Sequence, residues 1–374
     1  MRNSVKTSPP AHFRGVNLGG WLLLEKWMTP SLFAGLAATD ETTWCVELGR
    51  PMATARRSAH WEQFVTRDDF AWLEEVGINA VRIPIGHWIL GPPYPYHPKY
   101  GLDPHPFVEG GIDVLDRAFN WAAEHGINIL LDLHAAPGCQ NGFDNGGILD
   151  VCEWHTQEEY LAYSVELLGR LAQRYRSAPA LCGIELLNEP RWDIPTELLK
   201  DYYLRAYRAI RAHCPPKRVA IVFHDGFRSH REYLGFLQPP RFKNVLFDVH
   251  RYQCFDRGNL DMDIHGHLDL AGNAWRLEAD AIQSELKLPA IVGEWSLGLE
   301  LSDVSLWAQE MTSRALQHLD RFQKDTAYRA FAATQLLAFE HYRGWFFWSY
   351  RTETTPAWCF RECVERGWLP PRFQ

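Results

Sequence analysis

A single (β/α)8 barrel of the α/β class, a TIM barrel with elongated loops on its C-terminal face, is the fold this sequence predicts. Three observations carry the prediction. Short apolar runs recur eight times along the 374 residues. Helical patterns separate most of them. Nearly every run ends in a polar or aromatic residue suited to chemistry.

The runs are residues 13–18 (FRGVNL), 79–85 (NAVRIPI), 127–134 (INILLDLH), 181–187 (LCGIELL), 218–223 (RVAIVF), 244–250 (NVLFDVH), 289–294 (PAIVGE) and 344–349 (GWFFWS). Most are continuous rather than alternating, as parallel strands buried on both faces are. Helices are expected over 67–76 and 111–125, closed by Gly77 and Gly126, because glycine readily takes the left-handed conformation that ends a helix. Others are expected over 157–176, 196–213 and 271–286, with two more between 303 and 342. A doubly wound sheet would carry a glycine-rich phosphate loop after an early strand, and residues 15–21 (GVNLGGW) lack that spacing. No linker or repeat divides the chain. The prolines at 92–106 fit a long loop on one barrel face. Residues 1–374 are therefore expected to form one catalytic domain, with 1–12 as a flexible N-terminal arm.

Composition narrows the function. Hydrophobic residues are 46% and charged residues 22%, which supports a large core and excludes disorder as the main state. The formal charge is −8 and no long basic run occurs, so nucleic acid is not the expected partner. There is no apolar leader segment and no stretch of 18 apolar residues, so no membrane span is expected. A full-length chain would then be cytoplasmic, and a secreted one would have lost a signal segment. Oligomeric state is left open. None of the eight cysteines forms Cys-x-x-Cys, and Cys182 in its apolar run is expected to be a buried thiol. Sixteen tryptophans suit a sugar-stacking surface as well as core filling.

In a barrel the C-terminal strand ends face the active site. Here those ends carry Asn17, Arg82, His134, Asn188 with Glu189, His224 with Asp225, His250 with Tyr252, Glu294, and Trp348. One glutamate alone is most often a surface carboxylate or half of an ion pair. Two at the ends of the fourth and seventh strands suit glycoside hydrolysis, one as acid and base, the other as nucleophile. The acid must hold a proton near neutral pH while the nucleophile is ionised, and Arg82 is placed to hold Glu294 ionised. His134, His250 and Tyr252 lack the His-x-His or His-Glu-x-x-His spacing of a metal site. They are expected to bond sugar hydroxyls and the nucleophile. No role is assigned to His224 or Asp225.

A resemblance covers nearly the whole chain. Residues 13–25 (FRGVNLGGWLLLE), 29–33 (TPSLF), 81–86 (VRIPIG), 132–138 (DLHAAPG), 140–145 (QNGFDN), 188–190 (NEP), 293–295 (GEW) and 344–353 (GWFFWSYRTE) resemble the exo-β-1,3-glucanases of glycoside hydrolase family 5. The resemblance implies a retaining mechanism with Glu189 as acid/base and Glu294 as nucleophile. It implies that Asn188, Arg82, His134, His250 and Tyr252 line the subsite of the sugar under attack, with Trp348 as its floor. Glu25 would hold the terminal glucose and favour exo action. Phe143 and Phe255 would clamp the next sugar, with Asp144 and Asn145 beside them. The sequence departs from the family at Cys139, where serine is usual, at Tyr350-Arg351 for Trp-Lys, and at 248–251 (DVHR).

The expected activity is release of β-linked glucose from the non-reducing end of β-1,3-glucan or its oligosaccharides, with transglycosylation as a side reaction. No cofactor or metal is expected. The alternatives are a β-glucosidase acting on glucosides with a lipid or other non-sugar aglycone, a catalytically inactive carbohydrate-binding protein, and a metal-dependent barrel hydrolase.

Overall fold

The computed structural model describes residues 10–300 and 313–373. Residues 1–9 of the expected arm lie outside it, as does 301–312, where the first of the two helices expected between 303 and 342 falls. Eight strands close a parallel barrel in chain order: β1 (Phe13–Asn17), β2 (Ala80–Gly86), β3 (Asn128–Ala135), β4 (Leu181–Glu185), β5 (Ala220–His224), β6 (Val245–Arg251), β7 (Ala290–Trp295) and β8 (Gly344–Phe347). β8 returns to β1, with Phe13 opposite Gly344 and Val16 opposite Phe347. All eight expected strands are present, none of their ends moved by more than two residues.

The helices are α1 (Glu41–Phe64), α2 (Arg67–Glu75), α3 (Gly111–Glu124), α4 (Glu158–Tyr175), α5 (Thr196–Arg211), α6 (Arg257–Leu260), α7 (Ile264–Asp269), α8 (Arg276–Ala281), α9 (Arg321–Phe339) and α10 (Phe360–Glu365). The helix expected at 271–286 begins earlier, at Ile264, where the Asp263 carboxylate caps the Gly266 N–H, and it contains two π turns, Leu270–Trp275 and Ile282–Leu286. α1 was not expected. Its buried face includes Glu41, Thr42, Arg57 and His60, so no apolar stripe marks it. Arg57 meets Glu41 at 3.0 Å with both side chains enclosed. Gly49 at φ 68° and Pro51 break the helix into two pieces, which further hides the period.

The strand alternation decides where the site can form. Ile129, Leu131 and Leu133 of β3 join the core between barrel and helices. Leu130, Asp132 and His134 alternate with them. At the bottom of the barrel Phe13, Ala80, Leu130, Cys182, Ala220, Val222, Leu246, Ile291 and Phe346 form a separate apolar plug. Cys182 is the buried thiol expected, and it donates to the Ile129 carbonyl. Two residues beyond Ala80, Leu130 and Leu246 the register turns polar at Arg82, Asp132 and Asp248, with Asn17 opposite Arg82, all four buried. The plug closes the barrel below, so this polar layer opens only toward the C-terminal face.

Candidate active site

Arg82 is the centre of the polar layer. Its Nε donates to Glu185 Oε2 at 2.7 Å, Nη1 to Asn17 Oδ1 and Glu294 Oε1 at 2.9 Å each, and Nη2 to Asn188 Oδ1 at 2.8 Å. Asp132 Oδ2 lies 3.1 Å from Nη2. The guanidinium fork thus fixes residues from β1, β2, β3, β4 and β7 at once. Burial opposes its charge, but Asp132, Glu185 and Glu294 outweigh that and raise its pKa well above the usual value. Burial in turn pushes the Glu185 carboxyl well up, against the pull of Arg82.

Above this layer the strand ends converge. Glu189 follows β4 in a left-handed conformation, φ 40°, uncommon for a residue with a side chain. His250 Nδ1 lies 2.7 Å from Glu189 Oε1 and 3.4 Å from Glu294 Oε2. The Tyr252 hydroxyl donates to Glu294 Oε2 at 2.8 Å, and Asn145 Nδ2 to Glu189 Oε2 at 3.2 Å. Gly293 allows the close packing beneath: its N–H donates to Asp248 Oδ1 at 2.6 Å, and a Cβ there would sit 2.1 Å from the Asp248 carboxylate.

Nine predicted residues therefore form one connected group. Arg82, Asn145, Asn188, Glu189, His250, Tyr252 and Glu294 are joined by the bonds just given. His134 joins through Asn188 Nδ2, 3.3 Å from His134 Nε2, and Trp348 lies against the His134 ring with centroids 5.2 Å apart and planes 8° apart. Glu25 is buried, accepts from Trp27 Nε1 at 2.9 Å, and has Oε1 without a protein partner. Burial, then the charge of Asp144, raises its pKa well above the usual value. Asp144 is itself pushed up by burial to about 6. Phe143 and Phe255 are exposed at the entrance, and Phe255 meets the Tyr252 ring at 5.4 Å.

Two expectations are corrected. His134 does not bond the nucleophile candidate; Asp132 Oδ2 holds its Nδ1 at 2.6 Å and turns it toward Asn188. The order of proton affinities is also reversed in the open site. Burial raises both glutamates. The His250 hydrogen bond and charge then carry Glu189 below its usual value, while Glu294, facing the Glu189 charge, stays above its own despite His250 and Arg82. His250 is the cause, since it sits nearer Glu189. Burial disfavours its charge, but Glu294, Asp248 and Glu189 hold its pKa well above the usual histidine value.

Sequence reasoning left Asp132, Glu185 and Asp248 off the site. A signal existed: Asp-x-His occurs at 132–134 and 248–250, and a period of two puts both residues on the same face of a strand. His224 is now placed, its ring 4.3 Å from that of His250. Its Nδ1 accepts the Gly226 N–H at 2.9 Å, which puts the ring proton on Nε2. Among the described residues, two groups bring three ligand atoms within 4.8 Å, Glu189–His224–His250 and Glu185–Asp248–His250. Neither donor set fits a metal well. His224 Nε2 carries its proton, Glu185 is neutralised by Arg82, and His250 Nδ1 is engaged by Glu189.

Comparison with known proteins gives the family. The family model for cellulase (glycosyl hydrolase family 5) matches residues 45–327. A probable glucan 1,3-beta-glucosidase A of Emericella nidulans is 36% identical, covering 96% of this chain and 89% of its own. The glucan 1,3-beta-glucosidase of Blumeria graminis is 32% identical, covering 96% and 86%. Among solved structures, rutinosidase from Aspergillus niger superposes with a TM-score of 0.76 at 18% identity, covering 97% of this chain and 99% of its own. Cel5A of Thermotoga maritima, in complex with cellobiose, gives 0.55 at 15% identity, covering 95% and 97%. These two share the fold. The chain belongs to glycosyl hydrolase family 5.

Proposed function

We propose that this protein is an exo-acting retaining glucosidase that removes glucose from the non-reducing end of β-1,3-glucan and its oligosaccharides. The observation that carries the reading is the single His250 nitrogen shared by Glu189 and Glu294, 2.7 and 3.4 Å away. Two oxygens reached from one atom over those distances lie closer than the ~6.5 Å at which inverting spacings begin. The names of the relatives, glucan 1,3-beta-glucosidases, support the linkage.

In this mechanism the Glu189–His250 pair holds one shared proton between a carboxylate and an imidazole. A bound glucoside displaces water, which favours the neutral acid and imidazole over the charged pair, and that proton passes through Glu189 onto the glycosidic oxygen. Glu294, held by Arg82 and Tyr252, attacks the anomeric carbon as the bond to the leaving oxygen breaks. The ester so formed no longer repels a charge on Glu189. Glu189 then takes a proton from water as the water's oxygen displaces Glu294, and glucose leaves with its β configuration. Asn188 is positioned for the 2-hydroxyl and Trp348 for the sugar face. Glu25, with an unpartnered buried oxygen, is positioned for the terminal hydroxyls.

Proton NMR of wild-type enzyme digesting laminaritriose tests this. β-Glucose and laminaribiose should appear first. α-Glucose as the first anomer, or an intact substrate, would overturn the proposal.

A further inference from the structure

Four of the large aromatic rings exposed among the described residues occupy consecutive positions around the mouth. Phe143 follows β3, Trp192 follows β4, Phe227 follows β5 and Phe255 follows β6. Phe143 and Phe255 belong to the entrance described above. Trp192 and Phe227 have no part in it, yet they are 59% and 45% exposed. Single exposed apolar residues are ordinary, but these two form a pair, with ring centroids 6.5 Å apart and planes at 68°.

The pair is held firmly. Phe227 sits at φ 58°, a conformation costly for a bulky residue. Its N–H donates to Asp225 Oδ1 at 2.7 Å, and its ring packs edge-on against His224 at 5.3 Å. Arg228 ties the two loops together, with Nη2 donating to the carbonyls of Arg191 and Ile194 and Nη1 to that of Gly226. Arg191 is locked in turn by both oxygens of Asp193. Asp225 and His224 thus gain a use, as the support of an exposed ring.

Position supplies the function. Trp192 lies three residues beyond Glu189 on the same loop. If Glu189 protonates the leaving oxygen, the leaving group departs on this side of the cleft. We infer that Trp192 and Phe227 form a further leaving-group subsite, which stacks against the apolar face of a β-linked glucose unit one place beyond the sugar at Phe143 and Phe255. The inference rests on the retaining glucosidase reading above.

The test compares laminaribiose, which ends at the first leaving-group position, with laminaritriose, which reaches the next. Wild type should show higher kcat/KM on the triose. In Trp192→Ala the loss on the triose should exceed the loss on the biose by about tenfold, mostly through KM, the worth of one aromatic stacking contact. Trp192→Phe should recover a large part of it. Equal losses on both sugars, or an unchanged chain-length profile, would overturn the subsite while leaving the glucosidase reading intact. Wild type that cleaves p-nitrophenyl β-glucoside but neither laminari-oligosaccharide would overturn the substrate reading and the glucose subsite together.

Discussion

The floor and the rim of the barrel mouth hold their side chains in opposite ways. On the floor, Arg82 makes hydrogen bonds to four side chains, and Glu294 is bonded by both Arg82 and Tyr252. These groups are buried, so each is fixed by the needs of its neighbours as well as its own. On the rim, Phe143, Trp192, Phe227 and Phe255 stand partly in water and are oriented by backbone and loop contacts. The floor cannot change one member without stranding a charge. The rim can exchange a ring without stranding a charge. Under the proposed function, reaction type then belongs to the floor and choice of leaving group to the rim.

Substitutions on the floor should show the largest effects. Glu294→Gln should lower kcat on laminaritriose by at least about a thousandfold with the fold retained, because an amide cannot form the ester. Near-normal turnover would remove Glu294 from the mechanism. Glu189→Gln should lose oligosaccharide hydrolysis to a similar extent but release fluoride from β-glucosyl fluoride, whose leaving group needs no proton. A variant equally dead on both would break the acid/base assignment. Arg82→Met should cost about 3–5 kcal/mol of stability by chemical denaturation, since it leaves buried carboxylates without their partner. A loss under about 1 kcal/mol would mean the floor is less rigid than its bonds imply.

The same contrast explains what could be read from the sequence. The strands were legible because burial on both faces leaves unbroken apolar runs. α1 was not, because Glu41, Thr42, Arg57 and His60 occupy its buried face, with Glu41 paired to Arg57 and His60 bonded to the Gly20 carbonyl. Glu189 and Glu294 were legible because a strand end announces its position in a barrel. Asp132, Glu185 and Asp248 stand one step lower, where a carboxylate is tolerated only because Arg82, His134 and His250 meet it. The proton order of the two glutamates was beyond the sequence, because it turns on which carboxylate His250 approaches more closely. Trp192 and Phe227 give no pattern in sequence at all; only the closing of the barrel sets their loops side by side.

His250→Gln sharpens the comparison with a smaller effect. The folded pKa of His250 is raised, so the stability it adds is fully present below the ordinary histidine value and is lost as pH rises through the raised one. In the mechanism above, the same proton serves catalysis, and the alkaline limb of kcat/KM should lie above neutrality in the wild type. In His250→Gln only the Glu189 carboxyl can hold it, and the limb should move toward acid. A limb that stays in place would separate His250 from the proton donor and reduce it to a spacer.

The rim supplies the smallest and most selective effect. Phe255 touches Tyr252 at 5.4 Å and Trp358 at 6.1 Å, but no bond to the carboxylates depends on it. Phe255→Ala should raise KM for laminaribiose by about tenfold relative to its effect on β-glucosyl fluoride, which carries no leaving-group ring to stack. A contact made equally in the ground and transition states changes KM and leaves kcat nearly alone. If kcat fell instead, and fell on both substrates, Phe255 would be acting through Tyr252 on the nucleophile. The boundary between floor and rim would then run outside this ring instead of inside it.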